Sequence, residues 1–118
     1  MSELTYREAV ARALTDELEQ DEKVILFGED VAAAGGVFQT TAGLYERFGP
    51  RRVRDTPIAE QAIVGCALGA AVAGLRPVAE IMFADFAGVC YDQLANQLAK
   101  YRYMTGGQAA VRRVGWLW

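Results

Sequence analysis

A single carboxylate stands in front of a run of very small side chains. The stretch "DTPIAEQAIVGCALGAA" covers residues 55–71 and places Glu60 at the start of a predicted helix, three residues after Pro57. Glu60 can be a first-turn acid, because the N-terminus of a helix carries partial positive charge, and Asp55 can cap the same helix. Glu60 can also work on a ligand held against the small side chains. Both interpretations are open at this point.

Several other kinds of chemistry are excluded by residue type. The chain has no histidine and two cysteines, Cys66 and Cys90, which do not form a CxxC pair. Common zinc patterns and a histidine general base are therefore absent from the sequence. Each cysteine lies in an apolar run, so we predict that both are small buried hydrophobes. No GxGxxG or P-loop pattern occurs, so no phosphate cradle is predicted.

The composition fits one globular domain. The chain has 118 residues, 53% of them hydrophobic, and a formal net charge of −3. A mildly acidic chain argues against nucleic acid as a partner. Arg51, Arg52 and Arg54 cluster, but acids flank them, which predicts a solvated turn.

The beginning of the sequence is charged and resembles no signal peptide. Its apolar stretches are shorter than the ~20 residues that span a bilayer. These features predict a cytoplasmic protein that does not enter a membrane.

The sequence predicts that helices and strands alternate along the chain. Thr5 and Glu8 form a capping-box pattern that opens a helix ending near Gln20. Continuous apolar runs predict strands buried on both faces, and the predicted strands are residues 24–27 and 77–82, with a short third candidate at 52–54. Further helices are predicted at residues 59–73 and 88–104, with a short one in "AGLYERFG". This order predicts an α/β fold with a parallel sheet.

The helix predicted at residues 59–73 contains glycine at regular intervals. Gly65, Gly69 and Ala73 recur every four residues. Glycine inside a helix lowers the stability of the helix by about 1 kcal/mol relative to alanine, so the presence of two glycines needs a reason. Close packing against a sheet or another helix is one reason, and a flat ligand or a partner subunit on this face is another.

Four ordered motifs carry a family resemblance over residues 4–108. They are "GED", "DTPI.E", "G.A.G.A..GLRP..E" and "DQ...Q.AK.RYM.GG". The chain resembles the N-terminal part of the β subunit of the E1 component of 2-oxo acid dehydrogenase complexes, a group that includes pyruvate, branched-chain 2-oxo acid and acetoin dehydrogenases. The resemblance implies a transketolase-like pyrimidine-binding domain of a thiamine diphosphate enzyme.

The resemblance also implies roles for four residues. Glu60 would be the catalytic residue: it would hydrogen-bond N1′ of the cofactor's aminopyrimidine and favour the imino tautomer, whose exocyclic nitrogen removes the C2 proton of the thiazolium. Phe86 would stack on that ring, and Ile58 would contact it. Glu29 would lie near the cofactor pocket and take part in proton transfer between paired sites. Without the family, Phe86 is equally well a core aromatic and Glu29 a strand-end acid, and the strand acid Glu80 has no assigned role.

The same resemblance implies the cofactor and the partners. Thiamine diphosphate would be shared with an α subunit that alone holds Mg²⁺, so no metal site is expected on this chain. The partners would be the E1 α subunit, a second β subunit and the E2 lipoyl acyltransferase. The reaction would be oxidative decarboxylation of a 2-oxo acid with acyl transfer to a lipoyl carrier, and the sequence does not identify which 2-oxo acid.

The last ten residues depart from the family pattern. "AAVRRVGWLW" occupies residues 109–118 where the family continues with a regular strand. We therefore expect residues 1–118 to form a single, incomplete pyrimidine-binding domain. A second possibility is a catalytically inactive truncated fragment, or a small α/β module that binds a homologous subunit through its glycine-rich helix.

Overall fold

A four-stranded parallel sheet forms the centre of the computed structural model, which describes residues 3–109, 111 and 116–117. The strand order is β2-β1-β3-β4. The strands are β1 (Val24–Gly28), β2 (Val53–Asp55), β3 (Arg76–Ile81) and β4 (Trp116–Leu117). The helices are α1 (Tyr6–Gln20), α2 (Leu44–Phe48), α3 (Glu60–Val72) and α4 (Tyr101–Met104), with a 3₁₀ helix at Ala84–Gly88 and a π-helix at Gln93–Leu98.

The apolar runs form the central strands because both faces of the sheet are covered. Leu26 of β1 pairs with Val53 of β2 and with Val78 of β3. Successive side chains of a strand point to opposite faces. Leu26 accordingly packs with α1, whereas Phe27 packs with α3. The predicted parallel α/β fold is confirmed.

Helix α1 begins at the predicted capping box. The Glu8 carboxylate accepts a hydrogen bond from the Thr5 backbone N–H at 2.8 Å, and the Thr5 hydroxyl accepts one from the Glu8 N–H at 3.3 Å. The hydrogen bond from the Thr5 backbone, followed by that from its side chain, lowers the pKa of Glu8. The reciprocal bonds satisfy backbone donors that the first helical turn leaves free.

The long helix predicted at residues 88–104 is interrupted and is not one regular α-helix. This part of the chain contains the end of the 3₁₀ helix, the π-helix and the short α4. The Ala99 N–H donates to the Leu94 carbonyl, five residues back, at 3.1 Å. Tyr91, Tyr103 and Met104 are exposed, whereas Cys90 and Leu94 pack with the buried cluster that contains Ile63.

Arg52 does not belong to a solvated turn. Its guanidinium is partly buried and donates to the backbone carbonyls of Leu18 and Asp21 at 2.9 and 2.7 Å, and to that of Val24 at 2.5 Å. The bonds to Leu18 and Asp21 satisfy carbonyls at the end of α1, and the bond to Val24 reaches the start of β1. Arg51 is exposed, as predicted.

One side of helix α3 is not covered by the part of the chain that the structure describes. A Cβ added at Gly69 would meet no described atom within 4 Å, and one at Gly65 would lie 3.6 Å from Gln93 Oε1. Close packing within the described part of the chain therefore does not explain Gly69. Cys66 is exposed, so its predicted burial is wrong, whereas Cys90 is buried as predicted.

Part of the atypical tail pairs with the sheet. Trp116 and Leu117 pair in parallel with Glu80 and Ile81, and residues 110, 112–115 and 118 lie outside the described residues. Among the described residues, no helix has the length and apolar character needed to cross a membrane.

Candidate functional site

The predicted site residues come from the carboxyl ends of three parallel strands. Glu29 follows Gly28, the last residue of β1. Glu60 starts α3 shortly after β2, and Phe86 lies in the 3₁₀ helix shortly after β3. Because parallel strands end at the same edge of a sheet, these segments meet there, and this edge is where open α/β sheets bind ligands.

Glu29 and Glu60 are two buried acids at this edge. Each is 8% exposed. Burial raises the pKa of Glu29, and the neighbouring charges of Glu60 and then Asp30 raise it further. Glu29 Oε1 accepts no hydrogen bond from the described residues. A buried carboxylate oxygen without a donor is costly, so the environment favours a proton, or a donor from another molecule, on Glu29.

Glu60 occupies the first turn of α3. The preceding N-cap residue, Ala59, contributes no side-chain hydrogen bond to the helix. A negative charge at this position is stabilised by the helix dipole. The first-turn interpretation therefore holds for Glu60 and is compatible with a role toward a ligand.

Asp55 is not the cap of α3. Its Oδ1 accepts a hydrogen bond from the backbone N–H of Ala32 at 2.7 Å, in the loop that follows β1. The capping interpretation is therefore wrong for Asp55. This contact could not be predicted from local sequence, because the two residues are far apart in the chain.

Phe86 lies beside the first half of α3. It packs against the buried cluster that contains Ile63 and Cys90, and its ring meets Phe83 edge-to-face with centroids 5.6 Å apart. The Cys90 thiol donates to the Phe86 carbonyl at 3.4 Å. Burial raises the pKa of Cys90, and the charge of Glu60 adds to this effect, so Phe86, Cys90 and Glu60 share one region. The half-buried position of Phe86 agrees with its interpretation as a core aromatic.

Ile58 is placed differently from the other three residues. It lies between β2 and α3, and its side chain is 82% exposed. The structure thus brings Glu29 close to Glu60 and places Phe86 against α3, the helix that begins with Glu60. It leaves Ile58 exposed on the surface nearby.

The loop from Asp30 to Gly43 covers the edge next to Glu29. Gly36 and the buried Glu80 approach each other here, since a Cβ added at Gly36 would lie 3.9 Å from Glu80 Oε2. Gly36 has a φ of +76°, a conformation that favours glycine. The Gly35-Gly36 pair marked this loop in the sequence, but its contact with Glu80 was not predicted.

The fold and the site define a class of protein. They describe a parallel α/β domain that gathers buried acids and an aromatic at the carboxyl edge of its sheet, as cofactor-binding α/β domains do. Residues 2–112 match the family model described as "Transketolase, pyrimidine binding domain". The chain belongs to this family, and the predicted domain type is confirmed.

The similar curated proteins are β subunits of 2-oxo acid and acetoin enzymes. The chain is 50% identical over 103 residues to 2-oxoisovalerate dehydrogenase subunit beta of Bacillus subtilis, covering 87% of this chain and 32% of that protein. It is 49% identical over 107 residues to pyruvate dehydrogenase E1 component subunit beta of Rickettsia felis, covering 91% and 33%. Acetoin:2,6-dichlorophenolindophenol oxidoreductase subunit beta of Cupriavidus necator is 47% identical over 116 residues, with 90% and 34% covered.

A solved structure is also similar. It is described as "Split gene transketolase, inactive beta4 tetramer" and superposes with a TM-score of 0.62 and 28% identity, over 77% of this chain and 28% of that chain. The present chain spans about a third of the length of the curated relatives it matches.

Proposed function

We propose that this chain is the pyrimidine-binding part of the β subunit of a thiamine diphosphate-dependent 2-oxo acid dehydrogenase E1. The observation that carries the proposal is the pair of buried acids, Glu29 and Glu60, at the carboxyl edge of the sheet. The identity to E1 β subunits over nearly all of the chain supports it.

The residues at this edge suit the aminopyrimidine end of thiamine diphosphate. Glu60 is a buried carboxylate that can share a proton with a ring nitrogen. Phe86 offers an aromatic ring for stacking, and Ile58 offers an exposed aliphatic side chain. When bound, the cofactor supplies the carbon nucleophile that decarboxylation of a 2-oxo acid requires.

In this proposal Glu60 holds or releases a proton at the pyrimidine nitrogen N1′. Glu29 stands beside it and favours its protonated form because it is buried next to the charge of Glu60. Glu29 thus keeps a proton close to Glu60 and takes part in proton transfer toward the paired site. Phe86 and Ile58 orient the ring and exclude water from it.

The remaining functions belong to partners. An α subunit would bind the diphosphate end of the cofactor and Mg²⁺, and a second β subunit would complete the assembly. An E2 lipoyl acyltransferase would receive the acyl group. A cytoplasmic location is part of this proposal.

A second candidate function is a module that binds a homologous subunit without taking part in catalysis. The observation that favours it is the uncovered side of α3. Two apolar cavities of about 140 and 300 Å³ lie along this helix, and Phe27 and Cys66 line both of them.

Co-expression with an E1 α subunit from the same source distinguishes the two functions. The complex is purified with and without thiamine diphosphate and Mg²⁺, and bound cofactor is measured after washing. We expect a complex that retains thiamine diphosphate and is stabilised by it. A complex that forms equally well without cofactor and retains none would favour the binding module, and the absence of any complex would contradict the E1 β function.

A further inference from the structure

We propose that Asp55 is a positioning residue that fixes the loop after β1 and thereby holds Glu29 against Glu60. This inference rests on the proposed function, in which Glu29 and Glu60 are the two working acids. Asp55 itself touches neither the reacting atoms nor, in this proposal, the cofactor.

The contact that carries the proposal joins the two segments on which the acids lie. The Ala32 N–H donates to Asp55 Oδ1 at 2.7 Å. Ala32 comes three residues after Glu29 (32 − 29), and Asp55 comes five residues before Glu60 (60 − 55). The hydrogen bond therefore connects the segment that contains Glu29 to the segment that leads to Glu60. Asp55 is exposed, so water reduces the difference between its charged oxygen and a neutral acceptor oxygen in the same place.

The loop is shaped to present the Ala32 N–H to Asp55. Asp30 has a φ of +56°, an uncommon left-handed conformation for a residue other than glycine, so the chain changes direction directly after Glu29. Val31 is fully buried, and its carbonyl accepts a hydrogen bond from the Thr41 hydroxyl at 2.8 Å. These contacts leave the next N–H, that of Ala32, directed at the end of β2.

The hydrogen bond between Ala32 and Asp55 opposes the electrostatic repulsion between Glu29 and the acids near it. Glu60 approaches Glu29 from α3, and Asp30 approaches it from the same loop. On β3, Glu80 lies beside Gly28, the residue that precedes Glu29. Glu60 and Glu80 are acids outside the loop, so a charge on Glu29 would favour movement of the loop away from them. Asp55 holds the loop in place against that tendency.

Two variants of Asp55 in the 118-residue chain test the proposal. Asp55→Ala removes the acceptor, whereas Asp55→Asn removes the same charge and keeps an acceptor oxygen. Asp16→Ala, at an exposed acid of α1, is the matched control. The readouts are the hydrogen-exchange rate of the Ala32 amide and the NMR titration of the Glu29 carboxyl group, neither of which needs cofactor.

We expect Asp55→Ala to speed exchange at Ala32 by about tenfold and to bring the pKa of Glu29 down toward its ordinary value. Asp55→Asn and Asp16→Ala should stay close to the parent chain in both readouts. An unchanged Glu29 titration in Asp55→Ala, or equal behaviour of the Ala and Asn variants, would overturn the proposal.

Where Asp55→Ala does not fold, Asp55→Asn carries the test, and loss of Ala32 protection with an unchanged Glu29 titration in that variant overturns the proposal. Failure of the chain to retain thiamine diphosphate with an α subunit would contradict the proposed function and leave these two readouts unaffected. The two failures are therefore distinguishable.

Discussion

Glu29 and Glu60 lie close together at the carboxyl edge of the sheet although each is buried and each can carry a negative charge. They come from different segments, one directly after β1 and one at the start of α3. Parallel pairing of β1 with β2 brings the two segments together. The arrangement favours the protonated form of Glu29, because burial and then the neighbouring charge of Glu60 raise its pKa.

Glu29→Gln should make the folded chain more stable at pH 7. Because the pKa of Glu29 is raised by folding, the folded state binds its proton more tightly than the unfolded state does. Stability due to this group is therefore present at low pH and is lost as the pH rises from the unfolded-state pKa through the raised one. The free energy of unfolding falls by about 1.4 kcal/mol for each unit by which folding raises the pKa of Glu29. This loss is absent when glutamine replaces Glu29.

Urea unfolding at pH 7 and pH 4 measures this effect. The gain from Glu29→Gln should be clear at pH 7 and should shrink at pH 4, whereas Glu22→Gln at an exposed position should change little at either pH. A loss of stability at pH 7 in Glu29→Gln would show that the carboxylate is stabilised, not strained, in the folded chain.

Gly28→Ala should destabilise the sheet at the end of β1, directly before Glu29. A Cβ at Gly28 would stand 3.0 Å from both the Cβ and the carbonyl oxygen of Glu80, and 3.1 Å from Val31 Cγ1. Strands β1 and β3 would have to separate, and overpacking of this kind costs about 1–3 kcal/mol. Thermal and urea unfolding measure the change.

Gly69→Ala is the matched control for Gly28→Ala. A Cβ at Gly69 meets nothing within 4 Å among the described residues, so the helical preference of alanine should raise the free energy of unfolding by about 0.5–1 kcal/mol. Equal effects of the two substitutions would mean that the close approach of Gly28 and Glu80 is not maintained in solution.

The two cysteines should react with thiol reagents at different rates. Cys66 is exposed, whereas Cys90 is buried and its pKa is raised by that burial. Since the thiolate is the reactive form, Cys66 should be modified first and Cys90 only after denaturation. Mass spectrometry of the native chain checks this order, with Cys66→Ser as the control that abolishes the fast phase. Fast modification of Cys90 in Cys66→Ser would contradict the packing of Cys90 against Phe86.

The elements with a clear local pattern could be predicted from the sequence. The apolar runs of β1 and β3 and the capping box of α1 appear within one residue of their predicted places. The departure of residues 88–104 from regular α geometry could not be predicted, because the spacing of apolar residues in this segment is compatible with a regular helix. Cys66 was misplaced because α3 is apolar on almost all sides, so no periodicity identifies its uncovered face.

The relationships within the site depend on tertiary structure. That Glu29 lies beside Glu60 requires β2 to pair with β1, and the bond between Ala32 and Asp55 joins residues 23 positions apart. No local pattern encodes either contact. The residue types at the site were identified through the family resemblance, and their roles toward a cofactor stay predictions.

The most direct test of the central proposal is the affinity of the complex with an E1 α subunit for thiamine diphosphate. Calorimetric titration at fixed Mg²⁺ would compare the parent chain, Glu60→Gln and Glu46→Gln, the last at an exposed glutamate of α2. We predict that Glu60→Gln weakens binding by at least about tenfold, as expected for a lost charged hydrogen bond, and that Glu46→Gln binds like the parent. Parent-like affinity in Glu60→Gln would contradict the role assigned to Glu60.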